Sequence, residues 1–381
     1  MNICLLTDGI TPYVTGGMQR HSFNLCNELL KTGNEVTLVH CVYGGNLLPK
    51  NDEVQELFGN SKNLTVLTLR FPESNGMPGH YIRESYQYSF TITALLKDKL
   101  SLFDLIYVKG FSGWDLLQKR EKNKIKTGPI LVNFHGLEMF QEPATFGERI
   151  KSYLLKSPVK WNLNQADYCI SYGGKITSIL NRIGIPTPKI LEIPGAVSNS
   201  SLLEKRNLPI NFKFLFVGRY ERRKGIEELM QVVDSMPELE ISFVGAIPPS
   251  KKIKRNNVHY YGEVKDVNEL NKIVDEHTFI IAPSLSEGMP NVLLEGMSRG
   301  LIPIATRVGA VEELIDTTNG FLIEPKSVDA ISTSIQAALE LGQDEVLQLS
   351  TQSIHKIKSK FTWSLITAET IDIFQRILEK S

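Results

Sequence analysis

Short apolar runs separated by amphipathic stretches repeat along the whole chain. Ile3 to Leu6 is the first run; a loop with Gly16 and Gly17 follows, then a helical pattern through Phe23, Leu25, Leu29 and Leu30, then a second run from Glu35 to His40. Apolar positions three or four apart mark one face of a helix and short apolar runs mark buried strands, so this is a strand-helix-strand unit. The same alternation predicts strands at Leu64 to Leu69, Leu105 to Val108, Ile130 to Phe134, Tyr168 to Ser171 and Ile190 to Ile193. Strands that are apolar throughout belong to sheets covered on both faces, and strands joined by helices pair in parallel.

The polar patch Ser198-Asn199-Ser200-Ser201, after Pro194-Gly195, interrupts this pattern. It then restarts, with strands at Lys213 to Val217, Ile241 to Val244, His259 to Tyr261, Phe279 to Ala282, Ile302 to Ala305 and Gly320 to Ile323, and helices such as Ile226 to Val233. Ile366, Ile373, Phe374, Ile377 and Leu378 form the apolar stripe of a last amphipathic helix. The expected fold is α/β: two Rossmann-like, doubly wound domains, residues 1–197 and 198–362, facing across a cleft, with a tail of residues 363–381.

Composition narrows the classes of partner. At 381 residues the chain exceeds one ordinary core, and its 42% hydrophobic and 22% charged residues are those of a globular protein. Lys plus Arg and Asp plus Glu number 42 each, so no overall field draws the chain to nucleic acid. Cys4, Cys26, Cys41 and Cys169 lack C-x-x-C spacing and sit in apolar stretches, which predicts buried free thiols in a reducing cytosol. The N-terminus reads as a strand rather than a signal peptide and no run reaches the length of a membrane span, so a cytoplasmic location is expected.

The chemistry concentrates in loops that follow strands. Ser286 to Glu295 sets Glu287 in a turn and Glu295 in a helix, with Pro290 suited to the first helical position. Eight residues of helix rise about 12 Å, whereas glycosidase carboxylate pairs stand roughly 5 to 9.5 Å apart. Separate contacts to the two ends of one extended ligand fit this spacing better, although a capped surface helix with two solvated glutamates has it too. Arg219 and Lys224 span the loop after the strand ending at Val217, where two cations can neutralise a diphosphate; Arg222 and Arg223 read as solvated. Gly16 and Gly17 let backbone amides approach a phosphate, or simply make a tight turn, and match neither G-x-G-x-x-G nor a Walker A loop. His135, at the end of a strand and before Gly136, puts an imidazole at the edge of the first domain.

Together these residues resemble glycosyltransferase family 4, retaining enzymes of the GT-B fold. The resemblance runs from Gly16-Gly17 through Lys31-Thr32-Gly33-Asn34-Glu35-Val36, His135-Gly136, Arg219 with Lys224 and Glu287 with Glu295 to Thr306 to Glu313 and Phe361-Thr362-Trp363. It implies an acceptor-binding first domain, a second domain that binds a nucleotide-diphosphate-sugar, UDP- or GDP-linked, and a last helix returning to the first domain. Arg219 and Lys224 would bind the diphosphate with the amides of Gly17, Asn291 and Val292, in a turn that includes Gly288 and Met289. Glu287 would hold hydroxyls of the transferred sugar, Glu295 the ribose, and Val264 would lie beside the base. The resemblance also implies that no metal or other cofactor takes part. The chain departs from the family at Pro194 to Ser198, where Pro-Asn-Gly-Val-Asp is common, and at Met289-Pro290-Asn291, where Phe-Gly-Leu is common.

The implied reaction is transfer to a hydroxyl of a glycan or lipid-linked acceptor in the synthesis of surface polysaccharide or glycolipid. A non-hydrolysing nucleotide-sugar epimerase and a non-catalytic nucleotide-sugar sensor are the rival readings. Acceptor recognition is expected around residues 77–89 and 140–160, where Tyr81, Tyr86, Tyr88 and Phe146 can stack on sugar rings or pack in the core. The basic stretch from Gln118 to Lys126, with Lys151, Lys156 and Lys160, suits either a solvated surface or peripheral contact with the inner face of an anionic membrane.

Overall fold

The computed structural model describes all residues except 46, 74, 75, 77, 78, 205, 207–211 and 381; Met77 of the expected acceptor region and Ser381 of the tail therefore lie outside the described residues. Seven strands build a first sheet: β1 (Asn2–Leu6), β2 (Glu35–Val42), β3 (Leu64–Arg70), β4 (Leu105–Lys109), β5 (Ile130–Asn133), β6 (Tyr168–Ser171) and β7 (Ile190–Glu192). They pair in parallel in the order β3-β2-β1-β4-β5-β6-β7. A second sheet holds β8 (Phe214–Val217), β9 (Ile241–Val244), β10 (Val258–Gly262), β11 (Phe279–Ala282), β12 (Ile302–Thr306) and β13 (Phe321–Ile323). Its order is β10-β9-β8-β11-β12-β13, again parallel throughout.

Burial explains why these strands form where the apolar runs lie. Ile3, Leu5, Leu105 and Tyr107 face one side of the first sheet, under the helices Gly17–Lys31 and Trp363–Leu378, while Cys4, Leu6, Ile106 and Val108 face the other. All four cysteines are buried and unpaired. In the second sheet Phe214, Phe216, Phe243 and Phe279 form the core beneath the helices Ile226–Ser235 and Val328–Leu339.

The chain crosses between the lobes twice. Val197 on the outward crossing and Thr362 on the return form a parallel bridge, closed by Val197 N–H to Phe361 O and Trp363 N–H to Val197 O, both 2.9 Å. Beyond this bridge the last helix packs on the first lobe, with Trp363, Ile366, Phe374 and Ile377 buried in the core that holds Ile3 and Leu25. No described helix is long and apolar enough to cross a membrane.

Candidate active site

Open parallel sheets bind ligands beyond the carboxyl ends of their strands, where the strand order reverses. In the first sheet that point lies between β1 and β4, in the second between β8 and β11. The loops leaving these strands carry Gly16 and Gly17 after β1, Arg219 to Lys224 after β8 and Glu287 after β11. Topology thus brings distant motifs to one cleft.

Glu287 is the centre of the arrangement. Its Oε1 accepts from Lys224 Nζ at 2.5 Å and from Ser284 Oγ at 2.9 Å, and Arg223 approaches Oε2 at 3.7 Å. The carboxylate is buried, with 8% of the residue exposed. Gly225 makes this geometry possible: it is left-handed at φ 67°, and a β-carbon there would stand 1.8 Å from the carbonyl oxygen of Pro283. Leu285 N–H donates to Arg223 O at 2.7 Å and ties the two loops together.

The neighbouring arginines divide differently from the sequence expectation. Arg223, read as solvated, is half-buried between Glu221 and Glu287, because the short helical turn Arg222–Lys224 rotates it inward with Lys224. Arg222 forks onto Glu228 at 2.8 and 2.6 Å and anchors the following helix. Arg219 is 71% exposed and pairs with Glu221 at 3.0 Å rather than with Glu287.

Glu295 sits one turn into the helix Asn291–Ser298, one-third exposed, and pairs at 2.7 Å with Arg20 from the helix that follows the glycine loop. Asn291 Nδ2 donates to Gly17 O at 3.4 Å across the same gap. Pro290 is the N-cap rather than the first helical residue; its ψ of 115° is extended and its carbonyl accepts from Leu293 N–H at 3.1 Å. Asn291 and Val292 are the first two helical residues, whose amides lack partners within a helix and favour an anion. Gly16 caps the helix Gly17–Lys31.

Gly288 and Met289 serve the junction. Gly288 lies so close to Gly136 that a β-carbon on either would stand within 3.1 Å of the other's backbone, and Gln141 Nε2 bridges Gly136 O and Glu287 O at 2.5 and 2.6 Å. The side chain of Met289 turns into the core, where Sδ accepts from Gly195 N–H at 3.2 Å, so only its backbone belongs to the turn. Val264 is partly buried just after β10 and packs against the core of the second lobe.

His135 occupies the left-handed region at φ 56°, held by its own N–H on Asn133 Oδ1 at 2.7 Å and by Nδ1 on the Tyr172 hydroxyl. A histidine there is strained, and such strain persists where surroundings fix it. Nε2 is buried without a partner. Burial, then Lys109 and His21, hold its imidazole well below the usual range, so it is neutral at pH 7. Beneath it lies a polar group that the sequence reading missed. Lys109, fully buried at the end of β4, meets His21 Nδ1 at 2.9 Å, and burial pushes its ammonium down to about 7 against the opposing charge of Asp8. Asp8 itself is raised to about 6 by burial.

Among the aromatic residues expected at an acceptor site, Tyr88 is core, its hydroxyl donating to Thr7 O at 2.8 Å. Tyr86 donates to Gln118 Oε1 at 2.8 Å, whereas Tyr81 and Phe146 are exposed. A cavity of about 470 Å³ bordered by Arg120, Thr127, Asp167 and Lys189 lies at the amino ends of β5 to β7, opposite the cleft.

The chain matches known proteins along most of its length. Residues 15–200 match the model described as Glycosyltransferase Family 4, and residues 211–341 match Glycosyl transferases group 1. The chain is 23% identical to a phosphatidylinositol N-acetylglucosaminyltransferase subunit of Homo sapiens, an alignment spanning 99% of this chain and 76% of that protein. Sucrose-phosphate synthase from Thermosynechococcus elongatus superimposes with a TM-score of 0.80 at 18% identity, over 100% of both chains. HepE of Anabaena in complex with UDP-glucose gives 0.67 at 15% identity, over 98% of this chain and 99% of that one. The two sheets and their cleft are the GT-B arrangement.

Proposed function

Since the chain belongs to glycosyltransferase family 4 and is a glycosyltransferase of polysaccharide or glycolipid biosynthesis, we propose that it moves a sugar, with retention of configuration, from a nucleotide-diphosphate-sugar to an acceptor hydroxyl. The observation that carries this reading is the convergence of Lys224 and Arg223 on the buried carboxylate of Glu287, at the carboxyl edge of both β8 and β11. A cation beside a carboxylate serves a ligand with a diphosphate at one end and hydroxyls at the other.

In this reading Lys224 and Arg219 neutralise the diphosphate, and the amides of Gly17, Asn291 and Val292 add donors. Charge on the departing phosphate grows as the bond from the anomeric carbon breaks, so these contacts strengthen in the transition state. Glu287 holds sugar hydroxyls, and Glu295 takes the ribose after releasing Arg20. His135 offers Nε2 to the sugar. The acceptor oxygen forms the new bond on the face the phosphate leaves; the bond's electron pair goes to the phosphate oxygen, which takes the acceptor's proton. The side-chain cations supply the charge that a metal would otherwise provide, which is why we read the reaction as metal-independent. HepE, crystallised with UDP-glucose, supports a UDP-sugar as the first donor to try, with GDP-sugars next.

A thermal-shift panel of nucleotide-sugars tests the donor. A ligand at about 100 times its dissociation constant adds roughly 2.7 kcal/mol, a readily measured shift. Nucleoside diphosphate release that depends on an acceptor, with product anomers assigned by NMR, then tests transfer and retention. Interconversion of the donor sugar without acceptor would indicate an epimerase, and binding with neither transfer nor hydrolysis a sensor.

A further inference from the structure

The helix Phe146–Gln165 begins five residues beyond Gln141, whose amide bonds Glu287 O in the cleft. Its fully buried residues are Val159, Asn162 and Leu163, and none precedes Pro158. The outer side of its first three turns is exposed, yet it is not polar. Phe146, Ile150, Tyr153 and Leu154 are 77, 53, 76 and 49% exposed. At 3.6 residues per turn these four fall on one stripe that Ser157 continues, opposite the side on which Leu155 and Val159 meet the core, and the stripe ends before Trp161, which packs against that core.

The charges on this helix flank the stripe. Arg149, Lys156 and Lys160 run along one border and Lys151 along the other, all exposed, while the one acid, Glu148, turns back to accept from Ala144 N–H at 3.0 Å. Exposed aromatic and aliphatic residues bordered by cations are the signature of a helix lying in the headgroup region of an anionic bilayer. A protein partner would equally cover the apolar stripe but gives no reason for cations on both borders.

We propose that residues 146–161 dock the chain on an anionic membrane, with the apolar stripe at the level of the acyl chains and the basic borders on the phosphates. Combined with the reading of the cleft as a transferase site, on which this step rests, the placement assigns the acceptor to a lipid-anchored class. Gln141, Glu142 and Phe146 join cleft and surface in a few residues, with Glu142 tied to Lys326 of the second lobe at 2.5 Å.

Co-sedimentation of the full chain with phosphatidylcholine vesicles, with and without phosphatidylglycerol, tests the docking. The chain should pellet with the anionic vesicles only, and less at high salt. Each cation near such a surface adds about fivefold to partitioning, so neutralising Arg149, Lys156 and Lys160 to Gln should reduce it by about a hundredfold. Ile150→Glu with Tyr153→Glu should abolish it while leaving the melting temperature and the nucleotide-sugar thermal shift unchanged, since neither side chain is buried. Equal recovery of wild type with neutral and anionic vesicles at low salt overturns the proposal. So does concentration-dependent dimerisation that the double variant removes, which would assign the stripe to a second copy. The donor shift is read separately and keeps a failure here distinct from a failure of the transferase reading.

Discussion

Arg219 and Lys224 carry the same charge on one loop, but in different surroundings. With 71% of its side chain exposed, Arg219 contributes little to folding. Arg219→Ala should leave stability within about 0.5 kcal/mol of wild type, while donor affinity measured by thermal-shift titration falls about tenfold or more, the weight of a charge-assisted hydrogen bond. Lys224 is buried against Glu287, with side-chain exposures of 18 and 10%, so Lys224→Met should lower the melting temperature and abolish transfer together. Glu287→Gln keeps the shape and the bond from Ser284; kcat should drop by about a hundredfold with donor affinity nearly intact, as expected for sugar positioning. Lys109 offers a test by pH. Its native value is about 7 against an unfolded 10.5, so between them the unfolded chain binds more protons and native stability rises with pH. Urea unfolding of Lys109→Met should show a shallower rise than wild type between pH 7 and 8.5, by up to about 1.4 kcal/mol per pH unit. Lys224 and Glu287 were legible because each belongs to a spaced motif beside a strand end. Arg20, Arg223 and Lys109 were not: a single cation in a helix, a basic run or a strand end carries no spacing, and its partner is set only by folding.

At the level of elements, the glycine contact between lobes is the most sensitive point. A β-carbon on Gly136 would meet the backbone N of Gly288 at 2.9 Å. Gly136→Ala should therefore wedge the lobes apart, seen as a larger radius of gyration by solution scattering and as lost transfer with an intact first lobe. Strands were legible almost to the residue: β8 was expected from Lys213 and starts at Phe214, and β11 matches Phe279 to Ala282. Burial on both faces leaves a strand little freedom for polar residues, so its ends show in the sequence. The helix at residues 146–165 was legible only as an aromatic and basic region, because its first half lacks a buried stripe and its exposed one has the same period. Pro290 was displaced by one position for a related reason: an N-cap and a first helical residue both accept proline's fixed φ, and only ψ separates them.

Across the whole molecule, the helix Trp363–Leu378 is part of the first lobe's core although it follows the second lobe in sequence. Trp363, Ile366, Phe374 and Ile377 bury about 1.5 to 3 kcal/mol each, together comparable with the entire stability of a domain. A chain ending at Thr362 should lose the cooperative unfolding transition of the first lobe, which calorimetry would detect. The two-lobe plan was readable from the pause at Ser198 to Ser201, whereas the pairing of the crossings was not, since nothing in either segment names the other. Its mechanical consequence is that the polypeptide enters and leaves the second lobe through one point. Any drawing together of the lobes must then be a rotation, with torsion gathered at Ala196 to Ser198 and Phe361 to Trp363, and neither crossing can lengthen without dragging its neighbour. Even a nick at the 198–201 turn would leave the severed halves sharing the returning helix, so the pivot outlasts the loss of either strand of chain.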